Sequence, residues 1–130
     1  VVHVRDVGPG DGIGYGAIYR APRHGRVATV AAGYADGVPR CLGEPGRPPA
    51  YVLVANRRFP VAGRVSMDYL SVFLGEDDGG VAIGDEAVIF GRSENGTLLR
   101  ADEQAAATGT IAYELFVRVG SRIPRVVHDG

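Results

Sequence analysis

Residues 27–37 read VATVAAGYADG. The first six form a run of small, mostly apolar side chains without polar alternation, which predicts a strand buried on both faces. The run stops at Gly33-Tyr34-Ala35-Asp36-Gly37, where glycine and aspartate favour a turn. The same grammar extends outward on both sides. Upstream, residues 1–7 (VVHVRDV) alternate and end at the turn formers Gly8-Pro9-Gly10-Asp11-Gly12. Residues 13–19 (IGYGAIY) put Ile13, Tyr15, Ala17 and Tyr19 on one side if extended. Downstream, residues 41–49 (CLGEPGRPP) suit neither helix nor interior strand and read as a loop. Residues 51–54, 59–62, 69–74 and 86–90 read as four further strands. Asn56-Arg57 is the expected turn between the first two, and Asn95-Gly96 is a hairpin signal before residues 97–99.

One segment reads as a helix. Residues 101–108 (ADEQAAAT) combine alanine with Glu and Gln, carry acids in the first turn and stop at Gly109. Residues 111–119 then resume an apolar, strand-like pattern that Pro124 ends. Seven or eight short strands with one short helix predict a mainly β domain, a closed barrel or a sandwich.

The bulk properties set limits. At 130 residues, 45% hydrophobic and 22% charged, the chain fits one globular domain. Its 14 basic residues are all arginine and are offset by 15 acidic ones. That balance argues against a nucleic-acid binder relying on basic excess. The absence of lysine means that no lysine Schiff base forms on this chain. A lone Cys41 forbids an internal disulfide and suits a reducing, cytoplasmic setting. No apolar stretch approaches the roughly 20 residues that span a bilayer, so no membrane association is read. The opening residues VVHVRDVGPGDG contain no signal-peptide pattern. The chain begins at Val1 and its one methionine is Met67, which predicts a piece cut or processed from something longer.

Few residues carry familiar chemistry. His3, His24 and His128 are widely separated, so no metal site is read. Cys41 sits in a loop without a partner base. The glycine-rich stretch 8–14 joins no strand to a helix, so a turn accounts for it better than a phosphate cradle. What remains is four stretches rich in tyrosine, glycine and charge: Gly14-Tyr15-Gly16, Gly33-Tyr34-Ala35-Asp36-Gly37, Gly63-Arg64-Val65-Ser66-Met67-Asp68 and Gly109-Thr110-Ile111-Ala112-Tyr113-Glu114. Tyr15 between two glycines lacks local side-chain cover. A phenol so placed can act as a base if cations lower its pKa from about 10. The competing account is a packing tyrosine flanked by bulge glycines.

Taken together, these stretches resemble the C-terminal domain of alanine racemase, a pyridoxal-phosphate enzyme of fold type III. The resemblance spans residues 1–130 nearly end to end, through VRDVGPGDGIGYGAIYRA, GYADG, VAGRVSMD, IGDEAVIFG, ADEQAAATGTIAYE and SRIPRV. It implies a small, closed Greek-key β-barrel with one or two short helices. It also implies an N-terminal (β/α)₈ barrel, absent from this chain, that holds the cofactor on its lysine. In a head-to-tail homodimer, this domain would complete the active site in the barrel domain of the partner subunit.

The resemblance also implies roles. Tyr15 matches the catalytic tyrosine, acting on one face of the substrate α-carbon while the lysine acts on the other. Met67 matches a residue whose backbone N–H binds the substrate carboxylate, with its side chain as ordinary packing. Tyr34 matches a tyrosine lining the narrow entrance, and Arg40 and Arg64 match arginines further out. Tyr113 matches a tyrosine whose hydroxyl reaches the cofactor phosphate in its own subunit, whereas Tyr15 and Met67 serve the partner's. Asp36 and Asp68 are expected to hold turns or pair with arginines, and Tyr19, Tyr51 and Tyr69 to pack. The implied reaction interconverts L- and D-alanine, supplying D-alanine for peptidoglycan, and the isolated chain should be inactive. Two alternatives stand beside it: a racemase of the same family acting on serine or a broad range of amino acids, and a free-standing, non-catalytic binding domain. The chain departs from the family pattern at Ala112, where asparagine is common, and at Val126-Val127, where an aromatic usually follows PRV.

Overall fold

The computed structural model describes residues 1–14 and 16–128. Among these described residues ten strands, one 3₁₀ turn and two helices follow in chain order. The strands are β1 (His3–Val7), β2 (Gly12–Ile13), β3 (Tyr19–Arg20), β4 (Gly25–Val30), β5 (Tyr51–Val54), β6 (Arg57–Pro60), β7 (Leu70–Gly75), β8 (Ala87–Val88), β9 (Gly91–Arg92) and β10 (Leu98–Leu99). The 3₁₀ turn is Tyr34–Asp36, and the helices are α1 (Ala101–Thr108) and α2 (Ala112–Arg118).

Strand β4 is the centre of the first sheet, antiparallel to β1 on one side and β7 on the other. It is buried on both faces, as its unbroken apolar run requires. Ala28 and Val30 join the larger core with Val52, Val54, Leu70 and Val72. Val27 faces a second cluster with Val7, Ile13 and Phe73. Each buried valine, leucine, isoleucine or phenylalanine among them stabilises the fold by roughly 1.5–3 kcal/mol. A second sheet has β5 between β6 and β8. The turn from β5 to β6 is made by Ala55 and Asn56, both left-handed at φ 47° and 68°, one residue earlier than Asn56-Arg57.

The expected closed barrel is not what the strand ladders form. They make four separate sheets, two of three strands and two of two. A single bridge between Val61 and Val72 connects the two larger sheets. At their far edges, the Val1 amino group donates to the Asp85 carbonyl at 2.9 Å and the Gly84 N–H donates to the Val1 carbonyl at 2.8 Å. These contacts lie outside any strand, because Gly84 and its neighbours turn rather than extend. The domain is mainly β with two short helices, and no Greek-key barrel emerges from the pairing.

Two local expectations also change. Residues 13–19 are not one strand: β2 and β3 pair as a hairpin, Ile13 opposite Tyr19. Left-handed Gly14, Gly16 and Ala17 reverse the chain between them. Residues 111–119 are not strand-like either, for α2 occupies their middle. Its apolar residues do not alternate in burial: Leu115 is the buried one, while Tyr113, Phe116 and Val117 are exposed. Glu114 and Arg118, one turn apart, pair at 3.2 Å. Helix α1 forms where expected and ends on left-handed Gly109, whose N–H reaches back to the last turn. Its Gln104 is 2% exposed and donates to the carbonyls of Tyr51 and Ile89 at 2.8 and 2.6 Å, tying α1 to the second sheet. Residues 41–49 form a loop, as expected, but an anchored one, with Leu42 wholly buried.

Candidate functional site

The turn after β4 and the loop before β7 are joined through their backbones. Tyr34 N–H donates to the Ser66 carbonyl and Ala35 N–H to the Met67 carbonyl, both at 3.0 Å. The approach is close enough to require glycine at position 33, where an added Cβ would lie 2.3 Å from the Met67 carbonyl oxygen. Asp36 closes the turn by accepting the Gly33 N–H at 2.9 Å. Ser66 stabilises the facing loop: its hydroxyl donates to the Tyr69 carbonyl at 3.0 Å and accepts the Tyr69 N–H at 3.1 Å.

This junction brings three of the expected residues together. Tyr34, Arg40 and Met67 line one cavity of about 360 Å³ with Val65, Ser66 and Asp68. Met67 is 52% exposed in this chain. Among the described residues Arg40 forms no ion pair, and it lines both this cavity and a neighbouring one bordered by Cys41, Glu114 and Arg118. Arg64 is turned elsewhere. Its Nε and Nη2 donate to Glu44 at 3.1 and 2.7 Å, and it does not line this cavity. The Arg64 guanidinium holds the Glu44 carboxyl below the usual carboxylate range, with Arg47 and Arg40 adding to the effect.

Tyr113 stands apart from this group. It is 77% exposed on α2, with its ring edge-on to Phe116 at 6.4 Å. It borders a different cavity of about 440 Å³ with Phe90, Leu98, Arg100, Ala112 and Phe116. The two cavities share no lining residue. Tyr15, the sequence's catalytic candidate, lies outside the described residues; its neighbours Gly14 and Gly16 belong to the turn of the β2–β3 hairpin.

Among the aspartates and tyrosines, the outcome is mixed. Asp36 holds its turn and pairs with an arginine, and Asp68 pairs with the same arginine, Arg122, in line with the expectation. Sequence reading had not singled it out, since it stands 86 residues from Asp36. Its only sequence signal was membership in SRIPRV. Tyr19 packs against the second core cluster, and burial pushes its phenol up. Tyr51 is covered by the Arg58 guanidinium at 4.9 Å, whereas Tyr69 is 49% exposed and does not pack. Among the described residues no group of three or more His, Cys, Asp or Glu could hold a metal ion, and no helix is long and apolar enough to cross a membrane.

Comparison with known proteins gives a consistent result. A family model described as alanine racemase, C-terminal domain, matches residues 1–127. A curated alanine racemase from Aliivibrio salmonicida is 44% identical over 95% of this chain and 32% of its own length. The crystal structure of alanine racemase from Streptomyces lavendulae superposes with a TM-score of 0.83 at 45% identity, over 99% of this chain and 32% of that one. The alanine racemase from Bacillus anthracis, solved with bound L-Ala-P, gives a TM-score of 0.81 at 37% identity, over 97% of this chain and 30% of that one. The chain thus spans about a third of the length of these relatives.

Proposed function

Given that the chain belongs to the alanine racemase C-terminal domain family, we propose that it supplies one side of an active site interconverting L- and D-alanine, for peptidoglycan synthesis, in a cytoplasmic homodimer. The observation that carries this reading is the cavity at the junction of residues 33–37 and 64–68. It gathers an exposed tyrosine, an arginine and Met67 over about 360 Å³, room enough to admit a small amino acid. Arg40 attracts a substrate carboxylate, and the Met67 N–H is the donor that would hold it. Tyr34 narrows the approach.

The residues present fit the margin of a pyridoxal-phosphate site. This chain has no lysine to attach the cofactor, but Tyr113 offers an exposed phenol at the lip of a separate cavity, where it would donate to the phosphate. When bound, the cofactor withdraws electrons from the substrate α-carbon and so acidifies its C–H bond. The two cavities fall to different subunits in this reading: Tyr113 serves the barrel domain of its own chain, while Met67, Tyr34 and Tyr15 serve that of the partner. Their lack of shared lining residues supports this division. Tyr15, as a phenolate stabilised by nearby cations, acts as the base for the L-isomer and becomes a phenol on taking the α-proton, and a lysine outside this chain, as its ammonium, returns a proton to the opposite face. The isolated chain is expected to be inactive.

The test is Tyr15→Ala in the full-length protein. Loss of the base should slow α-proton exchange from L-alanine by roughly 10²–10⁴-fold while the cofactor stays bound. Exchange from L-alanine at the parental rate would make Tyr15 a packing residue and refute the assignment. Equal turnover of L-serine by the parent would instead identify a broader racemase.

A further inference from the structure

Arg122 follows α2 in a segment pressed onto the 33–37 turn. The Gly120 N–H donates to the Asp36 carbonyl at 3.1 Å, and a Cβ at left-handed Gly37 would lie 2.3 Å from the Arg118 carbonyl oxygen. Arg125 braces the same segment by donating from Nη2 to the Val119 carbonyl at 2.9 Å. From this fixed base the Arg122 guanidinium meets two carboxylates on two different loops. Its Nε donates to Asp36 Oδ1, and its Nη2 donates to Asp68 Oδ1 at 2.8 Å. The side chain of Asp36 is only 9% exposed, and its other oxygen holds the Gly33 N–H. Asp68 follows Met67 directly and lines the cavity.

We propose that Arg122 is a positioning residue, a two-armed clamp that fixes the 33–37 turn against the 64–68 loop and thereby sets Tyr34 and the Met67 N–H relative to each other. The geometry demands arginine. A planar guanidinium spans two acceptors with separate N–H groups, whereas a lysine ammonium is a point charge that satisfies the more buried Asp36 and leaves Asp68 unheld. Because the clamp acts on groups that bind substrate, its loss falls on substrate binding more than on the chemical step. This inference rests on the racemase reading for its kinetic consequence, not for its structural one.

The experiment uses the full-length protein with Arg122→Lys, Asp68→Asn and the double variant. Two measurements are made: steady-state kinetics on L-alanine, and backbone hydrogen exchange in peptides covering residues 33–37 and 64–69. Either single change should raise KM by roughly tenfold with kcat within about threefold of parent, since small displacements of binding groups are costly. Exchange in both peptides should accelerate, and the double variant should be no worse than either single one, because both break the same link. Parental KM in both single variants overturns the proposal whatever the exchange shows. A KM rise in one variant alone, or effects that multiply in the double, overturns it too, because a clamp needs both arms. If the parent does not racemise alanine, the functional reading fails. The clamp is then judged by exchange alone, and parental protection in both variants overturns it.

Discussion

Substituting Gly33 by alanine tests the junction on which the candidate site is built. The backbone there is extended, at φ −145° and ψ −168°, so alanine pays no conformational penalty. Its reduced freedom in the unfolded chain would even favour folding by about 0.4–1 kcal/mol. Crowding opposes this. The new Cβ would sit 2.3 Å from the Met67 carbonyl oxygen and 2.4 Å from that of Ser66, where carbon and oxygen normally stay about 3.3 Å apart or more. Relief requires the two segments to part by about 1 Å, which breaks the Tyr34–Ser66 and Ala35–Met67 hydrogen bonds. Losing two bonds costs about 2 kcal/mol, and residual overpacking about 1–3 kcal/mol more. The net expectation is a destabilisation of about 3 kcal/mol. Urea unfolding measures it as a lower midpoint at unchanged slope. Gly46→Ala is the comparison, because Gly46 is left-handed at φ 88° but nothing lies within 4 Å of its added Cβ. That change should cost only about 1–2 kcal/mol. If Gly33→Ala is as stable as parent, or milder than Gly46→Ala, the close approach of the two loops is wrong.

The remaining predictions concern stability. Gln104→Leu removes both donors to the Tyr51 and Ile89 carbonyls and should cost about 1–3 kcal/mol in thermal unfolding; no loss would show those carbonyls to be otherwise satisfied. Leu115→Ala empties the buried contact of α2 and should cost about 2–5 kcal/mol, with amide exchange rising first along the helix. Acidification should destabilise the fold. Arg122 holds Asp36 below the usual carboxylate range, Arg58 does so for Glu103, and the Gly80 N–H followed by Arg26 does so for Asp78. Their stabilising effect is therefore complete above the unfolded carboxylate values of about 4 and is lost as pH falls through the lower folded values. The unfolding midpoint should stay level above about pH 5.5 and drop below about pH 4.5; a rise on acidification would refute these assignments.

How much of the fold was legible depended on whether local pattern and burial agreed. They agree in β4, where an unbroken apolar run meets a cluster on each face. They agree in α1, where alanine propensity, first-turn acids and Gly109 all point one way. They part in residues 111–119. Tyr113, Leu115, Val117 and Val119 fall at alternate positions, so the period is that of a strand. Yet a strand there would need a covered face, and only Leu115 is buried. The Glu114–Arg118 pair and the contact of Leu115 favour the helix, leaving Tyr113 and Val117 in the open. The hairpin at β2–β3 was missed for a different reason. Three left-handed residues, Gly14, Gly16 and Ala17, reverse a chain that side-chain alternation alone reads as straight.

The candidate site was legible as motifs but not as a structure. GYADG and GRVSMD each announce a turn rich in polar groups, and the family resemblance assigns roles to Tyr34 and Met67. Neither motif says that the two touch. That information lies in the fit of Gly33 beneath Met67 and in Arg122, and both are relations between distant parts of the chain. Arg64 shows the converse. The resemblance marks it as a cation of the entrance, but Glu44 lies close enough to pair with it, and a largely buried Arg64 side chain with a carboxylate at 2.7 Å directs its charge there. Arg40, unlike Arg64, lines the cavity. Under the proposed function, neutralising Arg40 should therefore weaken attraction of the substrate carboxylate, whereas neutralising Arg64 should mainly loosen the 41–49 loop through Glu44. Two arginines with the same sequence-based role are separated by which of them has found a carboxylate.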